Sequence, residues 1–461
     1  MRFNRRQFIS GVGALAVSAG HAKAIPPQRP PNIIFILADD LGCGDLSLLG
    51  RTEYSTPHID SIGTGGVILP QAYANSSVCS PTRFALATGR YQYRLRGGLE
   101  EPIGAEPEPV GLPPEHPTIA SFFRDAGYRT GLIGKWHMGS LPNYGPTLSG
   151  YGSFFGVRLG FADYFNHSDQ IDRSGGSALF EGQQIIERHG YLTDLLSDRA
   201  ATDIAAAARD KVPLFMSLHY TAPHWPWEGP EDEEASRHIR NLLHHDGGTE
   251  ETYANMVRAL DRGVGRVLDA IESAGQADNT IIVFTSDNGG ERFSYTWPFV
   301  GMKGQLLEGG IRVPLFIRWP GRVAPGSVSQ QTAMSMDFLP TLLSAAGFAL
   351  DPRYQTDGID ILRQITGAAE PVERRLYWRH KANDQKAIRF GHWKWLSVNG
   401  HEYLFDLSRD RQERANLAEH QPELFAQLKA DWEAWNAAML PYPDNSFSYS
   451  LNGAGQVAEL D

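Results

Sequence analysis

Two cysteines in a chain of 461 residues are too few for a disulfide framework or a Cys-based zinc finger, so an apolar core must hold the fold. Long apolar runs are also missing. Beyond the first thirty residues none reaches the roughly 18 residues of a membrane span, so no internal span is expected. Positive charge is scarce: 42 Lys+Arg against 53 Asp+Glu leave a net charge of −11. That sign is wrong for a general nucleic-acid binder, whose affinity comes mainly from phosphate contacts. No internal repeat or low-complexity tract occurs, although residues 100–114 form a Pro/Glu-rich loop. What remains is ordinary globular composition, 41% apolar and 21% charged, with length for a large core and two or three units.

The first two dozen residues read as an export signal. Arg5-Arg6-Gln7-Phe8-Ile9 is a twin-arginine pattern, residues 8–19 are mostly apolar, and Ala22-Lys23-Ala24 supplies small residues for cleavage. The apolar stretch is too short for a permanent span, so residues 1–24 imply a periplasmic or secreted protein with no stable membrane anchor. The partner is the twin-arginine export machinery. That route carries folded protein, which places some completing step in the cytoplasm.

The rest of the chain alternates between strands and helices. Asn32-Ile33-Ile34-Phe35-Ile36-Leu37-Ala38 is continuously apolar, as in a strand buried on both faces. Residues 130–134, 213–218 and 281–285 are similar runs. Tyr253, Met256, Val257, Leu260, Val264, Val267, Leu268 and Ile271 mark one face of a helix. This pattern predicts an α/β fold, a large mostly parallel sheet flanked by helices, over residues 25–372. A smaller C-terminal α+β subdomain is expected over 373–461. It comprises a hairpin (387–390 and 393–396), a strand at 402–407 and a closing helix at 422–439.

Polar residues gather where the strands end, the usual ligand-binding edge of an open α/β sheet. Asp39-Asp40 follows one strand and Asp287-Asn288-Gly289-Gly290 another. Three carboxylates and an amide oxygen suit Ca²⁺ or Mg²⁺ better than zinc, though either pair alone would serve as a cap. In Cys79-Ser80-Pro81-Thr82-Arg83, Pro81 fits a helical first turn with Ser80 as cap and Gly89 as stop. Cys79 then lies at a helix N-terminus, where a nucleophile or oxyanion is favoured. Lys135-Trp136-His137 and His224-Trp225-Pro226 end or follow further strands, and Lys303 lies in a glycine-lined loop. With Arg83 these cations suit a tetrahedral oxyanion such as sulfate or phosphate beside a divalent metal.

These residues carry a resemblance. Cys79-Ser80-Pro81-Thr82-Arg83, continued to Thr88-Gly89, resembles the signature of the formylglycine-dependent (type I) sulfatases, of the alkaline-phosphatase-like superfamily. Asp39-Asp40, Gly134-Lys135-Trp136-His137, Pro223-His224-Trp225-Pro226, Asp287-Asn288-Gly289 and Lys303 match in family order, as does the run from Glu402 to Ala418. The resemblance covers nearly the whole chain after the signal. It implies that a formylglycine-generating enzyme oxidises Cys79 to an aldehyde, and that the hydrate attacks sulfur and passes through a sulfate ester. In the same way it implies a metal, Ca²⁺ with Mg²⁺ as the alternative, held by Asp39, Asp40, Cys79, Asp287 and Asn288. Arg83 would orient the hydrate, Lys135, Lys303 and His224 would bind sulfate, His224 with Lys303 would protonate the leaving alcohol, and His137 would take a proton to release sulfate.

The expected activity is therefore hydrolysis of sulfate esters, of a sulfated carbohydrate and of small aryl sulfates. A phosphatase or phosphonate-ester hydrolase of the same superfamily and a non-catalytic binder of sulfated glycans are the alternatives. A further sulfate contact between Lys135 and His224 is expected, with Asp163 and Ser168 as candidates. His219 is expected to support the site rather than act, and Glu308 and Arg312 to be structural. Cys43 reads as a small hydrophobe, since a Cys43–Cys79 bridge would destroy the site. Trp225 and Trp227 flank the proposed acid, either packed or stacked on a sugar. Substrate choice is expected in the loops 100–114, 144–173 and 228–248.

Overall fold

The strand Asn32–Ala38 lies at the middle of the molecule because its two faces are both apolar. Ile33, Phe35 and Leu37 point into one core and Ile34, Ile36 and Ala38 into another, which explains the unbroken apolar run. The structure is a computed structural model, and it describes residues 29–104, 110–170, 175–239 and 247–450. The expected export signal therefore lies outside the described residues.

Among the described residues the main sheet has ten strands. Its centre is five parallel strands in the spatial order Thr280–Ser286, Asn32–Ala38, Leu214–His219, Arg129–Gly134 and Ser153–Val157. Antiparallel pairing begins only outside them, at Leu315–Arg318 on one side and Leu179–Glu181 on the other. Helices Leu192–Asp210 and Glu250–Ser273 cover one face, and Cys79–Thr88, Ile119–Asp125 and Phe338–Ala345 the other. The expected large, mostly parallel sheet between helical layers is thus what the chain forms. Among the described residues no helix is long and apolar enough to cross a membrane.

A second, antiparallel sheet of four strands follows, in sequence order: Arg375–His380, Gln385–Phe390, Trp393–Val398 and His401–Asp406. One face carries Ile388, Trp395 and Leu404 against Leu428 and Trp432 of the helix Pro422–Asn436. The other carries Leu376, Trp378, Ala387 and Phe405 against Tyr73, Tyr93, Leu306 and Met336 of the main unit. The buried Trp432 also donates Nε1–H to the Trp378 carbonyl at 2.9 Å. We expect Trp432→Ala to destabilise the protein by about 3–5 kcal/mol. Chemical denaturation checks this, and a loss below about 1 kcal/mol would contradict the packing described.

Candidate active site

Parallel register assembles the site. Ala38 is paired with Ser286, Leu37 with His219, and Gly134 with His219, so the next residues of neighbouring strands emerge side by side. Asp39-Asp40, Asp287-Asn288 and Lys135 therefore meet at one carboxyl edge, and the turn after His219 brings in His224. Gly134 has φ of 106°, and a Cβ there would meet the His219 carbonyl oxygen at 1.8 Å, so only glycine fits this close approach, and the next amide, of Lys135, donates to that same carbonyl at 2.8 Å. Asp40 and His137 also occupy the left-handed region, at φ of 60° and 57°. Asp and His are among the side chains that enter it most readily, and such positions gather at functional sites.

Cys79 is the first residue of the helix Cys79–Thr88, two residues before the expected start at Pro81. Ser80 does not cap it. Its hydroxyl oxygen instead accepts the Ile103 amide at 3.0 Å and ties loop 100–104 to the helix. Gly89 is the stop, in the left-handed conformation. The Cys79 side chain is buried, and the ligand atoms of Asp39, Asp40, Cys79 and His224 all lie within 4.8 Å of one another. Burial pushes the thiol up to about 11, against the opposing charges of Lys135 and Lys303, so an unmodified thiol stays protonated at neutral pH. Cys43 is buried and unbridged, its Sγ 3.6 Å from the Thr296 carbonyl.

Cations and carboxylates interlock. Lys135 Nζ donates to Asp39 Oδ2 at 2.5 Å, and Lys303 Nζ to Asp40 Oδ2 at 2.6 Å. Arg83 is fully buried and grips Asp287 Oδ2 through Nε and Nη2 at 3.1 and 2.8 Å, while Nη1 donates to the Lys135 carbonyl at 2.9 Å. Burial and the charge of Asp287 hold Asp39 well above the ordinary carboxylate range. Burial acts on Asp287 too, but Arg83 and Lys135 outweigh it and keep that carboxyl below its usual value. Asn288 Nδ2 donates to Asp40 Oδ1 at 2.6 Å. Buried Asp39 Oδ1 and Asn288 Oδ1 accept no hydrogen bond. Crowded carboxylates with orphaned buried oxygens fit a hard divalent cation.

The two histidines are neutral, for burial and then the lysine charges depress both well below the usual imidazole value. Their tautomers follow from their partners. The Trp225 carbonyl, 2.7 Å from His224 Nδ1, can only accept, so Nδ1 carries the proton and Nε2 accepts from Lys303 Nζ at 3.1 Å. The Ile103 carbonyl lies 2.8 Å from His137 Nε2, which leaves His137 Nδ1 as a buried acceptor with no hydrogen bond.

His219 lies beside Arg83, its Nδ1 3.4 Å from Nη1. Glu308 and Arg312 pair with each other, and Glu308 also takes Tyr73 and Lys394 at the joint with the second sheet. Asp163 Oδ1 is taken by the Phe165 and Asn166 amides at 2.8 Å each and its Oδ2 by the Ser236 hydroxyl at 3.4 Å, while the Ser168 oxygen accepts from the Gln170 amide at 3.2 Å. Trp227 is core, packed edge-on to Phe293. Trp225 is half-buried, its ring 4.7 Å from Phe161 and 4.5 Å from His224. Sequence reasoning missed Tyr449 and Glu291. Lys303 Nζ lies 5.7 Å from the Tyr449 ring, and the Tyr449 hydroxyl 3.4 Å from Glu291 Oε1. An aromatic in a C-terminal loop has no periodicity or motif to mark it.

A family model described as Sulfatase matches residues 31–348. The chain belongs to the sulfatase family. As a member of that family it is a sulfuric ester hydrolase of the alkaline-phosphatase-like superfamily. A second model, N-sulphoglucosamine sulphohydrolase, C-terminal, matches residues 302–436. This sulfatase is 30% identical over 504 residues to arylsulfatase J of Mus musculus, covering 94% of the chain and 82% of that protein. It is 28% identical over 480 residues to N-acetylgalactosamine-6-O-sulfatase of Bacteroides thetaiotaomicron, with 87% and 92% covered. The crystal structure of Ps i-CgsB in complex with k-i-k-neocarrahexaose is similar at a TM-score of 0.81 and 30% identity, covering 92% of this chain and 96% of that one.

Proposed function

We propose that this sulfatase hydrolyses sulfate esters of carbohydrates, with a formylglycine made from Cys79 as nucleophile and a divalent metal held by Asp39, Asp40, Asp287 and Asn288. The observation that carries the reading is the gathering of Cys79, Asp39, Asp40 and His224 within 4.8 Å, edged by Lys135 and Lys303. The named substrates of the N-acetylgalactosamine-6-O-sulfatase and the neocarrahexaose of Ps i-CgsB support a sugar as the alcohol. Calcium is the ion we propose, with magnesium as the alternative. The metal would neutralise charge on the sulfate oxygens. The modified residue would supply the nucleophilic hydroxyl that a buried, protonated thiol cannot.

The chain's own groups do the rest. Lys135 and Lys303 reach the metal carboxylates and bind sulfate oxygens from there. Lys303 carries the proton that His224 Nε2 accepts a hydrogen bond from, so this pair delivers a proton to the leaving oxygen. His137 Nδ1, unprotonated and buried, takes the proton whose loss releases sulfate. Arg83 fixes Asp287 and favours negative charge near residue 79. We further propose export through the twin-arginine route after modification, a catalytic unit over residues 25–372 and a supporting unit over 373–461.

The test begins with protein made together with a formylglycine-generating enzyme. The peptide containing residue 79 should weigh as the aldehyde or its hydrate, and sulfate should be released from aryl and carbohydrate sulfates. Chelation is expected to remove activity, and calcium to restore it better than magnesium. An unmodified thiol in active protein, or faster release of phosphate from an aryl phosphate, would overturn the reading.

A further inference from the structure

The last described residues do more than end the chain. Beyond the helix Pro422–Asn436, the backbone returns to the active site and is anchored at several points. Lys381 Nζ donates to the carbonyls of Pro443, Asp444 and Ser446 at 3.0, 3.0 and 2.7 Å. Glu101 and Ser448 form a β-bridge, with the Glu101 amide 3.0 Å from the Phe447 carbonyl. The Tyr449 amide donates to the Glu101 carbonyl at 2.5 Å, and His380 Nε2 donates to the Tyr449 carbonyl at 2.9 Å. Both backbone groups of Tyr449 are therefore fixed, and so is the direction in which its ring leaves the chain.

That ring lies beside Lys303, above Gly304, where a Cβ would meet Tyr449 Cδ1 at 2.9 Å. Its hydroxyl is 3.4 Å from Glu291 Oε1. Trp225 touches the other member of the proton-delivering pair, His224. Two half-buried aromatic rings thus stand at the His224–Lys303 pair, one on each residue. The sulfate chemistry above uses neither ring. Tyr449 also lies beyond residue 436, outside the spans that the two family models match.

We propose that Tyr449, with Glu291 at its hydroxyl, is a specificity-determining wall that binds the sugar of the leaving alcohol. The ring offers an apolar face to the C–H groups of a pyranose, and the phenol–carboxylate pair offers an acceptor and a donor to its hydroxyls. The inference rests on the sulfatase reading, because Lys303 and His224 mark the leaving-group side only if they serve that oxygen.

The experiment compares wild type, Tyr449→Ala, Tyr449→Phe and Glu291→Gln, all carrying the aldehyde. The probes are 4-nitrophenyl sulfate and the 6-sulfates of galactose, N-acetylgalactosamine and glucosamine. For Tyr449→Ala, kcat/KM on the preferred sugar sulfate relative to the aryl sulfate should fall about tenfold or more, mainly through KM. Tyr449→Phe should restore most of that ratio by keeping the ring, and Glu291→Gln should lower it by a smaller factor. Proportional loss on both substrate types, with the ratio unchanged, would overturn the proposal by showing a structural role. So would a wild type that cleaves the aryl ester and none of the sugars. A wild type that carries the aldehyde and cleaves no sulfate ester would instead overturn the underlying reading.

Discussion

Cys79→Ala is expected to abolish sulfate release while leaving thermal unfolding nearly unchanged. The side chain is small and buried, so its loss removes about one sulfur's worth of packing, on the order of 1 kcal/mol. In the proposed mechanism its chemistry is irreplaceable, because the attacking hydroxyl is carried on residue 79 itself. Removing the nucleophile of a covalent mechanism leaves only binding and electrostatic stabilisation, so kcat should fall by roughly 10⁴-fold or more. Steady-state sulfate release and calorimetry on the same preparation measure the two effects. Sulfate release at the wild-type rate from this variant would exclude residue 79 as the nucleophile. A collapse of the fold would instead mean that Cys79 is needed for packing.

Arg83→Met, unlike Cys79→Ala, should harm both stability and turnover. The guanidinium is entirely buried, and its nearest charges are Asp287 and, at 3.8 Å, Asp39. Methionine fills most of the space but leaves Asp287 without the partner that keeps its carboxyl below the usual range. Breaking a buried pair from one side costs about 3–5 kcal/mol, since the stranded charge stays desolvated. Arg83→Lys is expected to recover only part of this. A single ammonium cannot reach both Asp287 Oδ2 and the Lys135 carbonyl as the planar fork does. Denaturation midpoints with and without added calcium would check the argument. If the lysine variant matched wild type in stability and rate, the two-ended grip would be of no consequence.

The proposed export signal is read from consecutive residues alone, because a linear address needs no fold. Within the fold, the strand Asn32–Ala38 and the carboxylates after it were legible for a similar reason. A strand buried on both faces must be apolar throughout, and polar residues at its carboxyl end then stand out. The helix Cys79–Thr88 begins two residues before the start that Ser80 and Pro81 predict. Serine before proline is a good local cap signal, but Ile103, from a distant loop, takes the Ser80 hydroxyl instead.

Residue identity and spacing by themselves determined the parallel sheet, the place of Asp39, Asp40, Asp287 and Asn288 at its carboxyl edge, and the motif at Cys79 from which the proposed nucleophile is read. Each is written in a few consecutive residues, through side-chain period, turn preference and donor chemistry. Only the tertiary structure decided which groups pair: Lys135 with Asp39, Lys303 with Asp40 and His224, Arg83 with Asp287, and Tyr449 with Lys303. Those pairings depend on strand register, on loop 100–104 docking over the site and on the return of the C-terminal segment. Each brings together residues far apart in the chain, where no local pattern constrains their distance, so packing and charge compensation choose the partners.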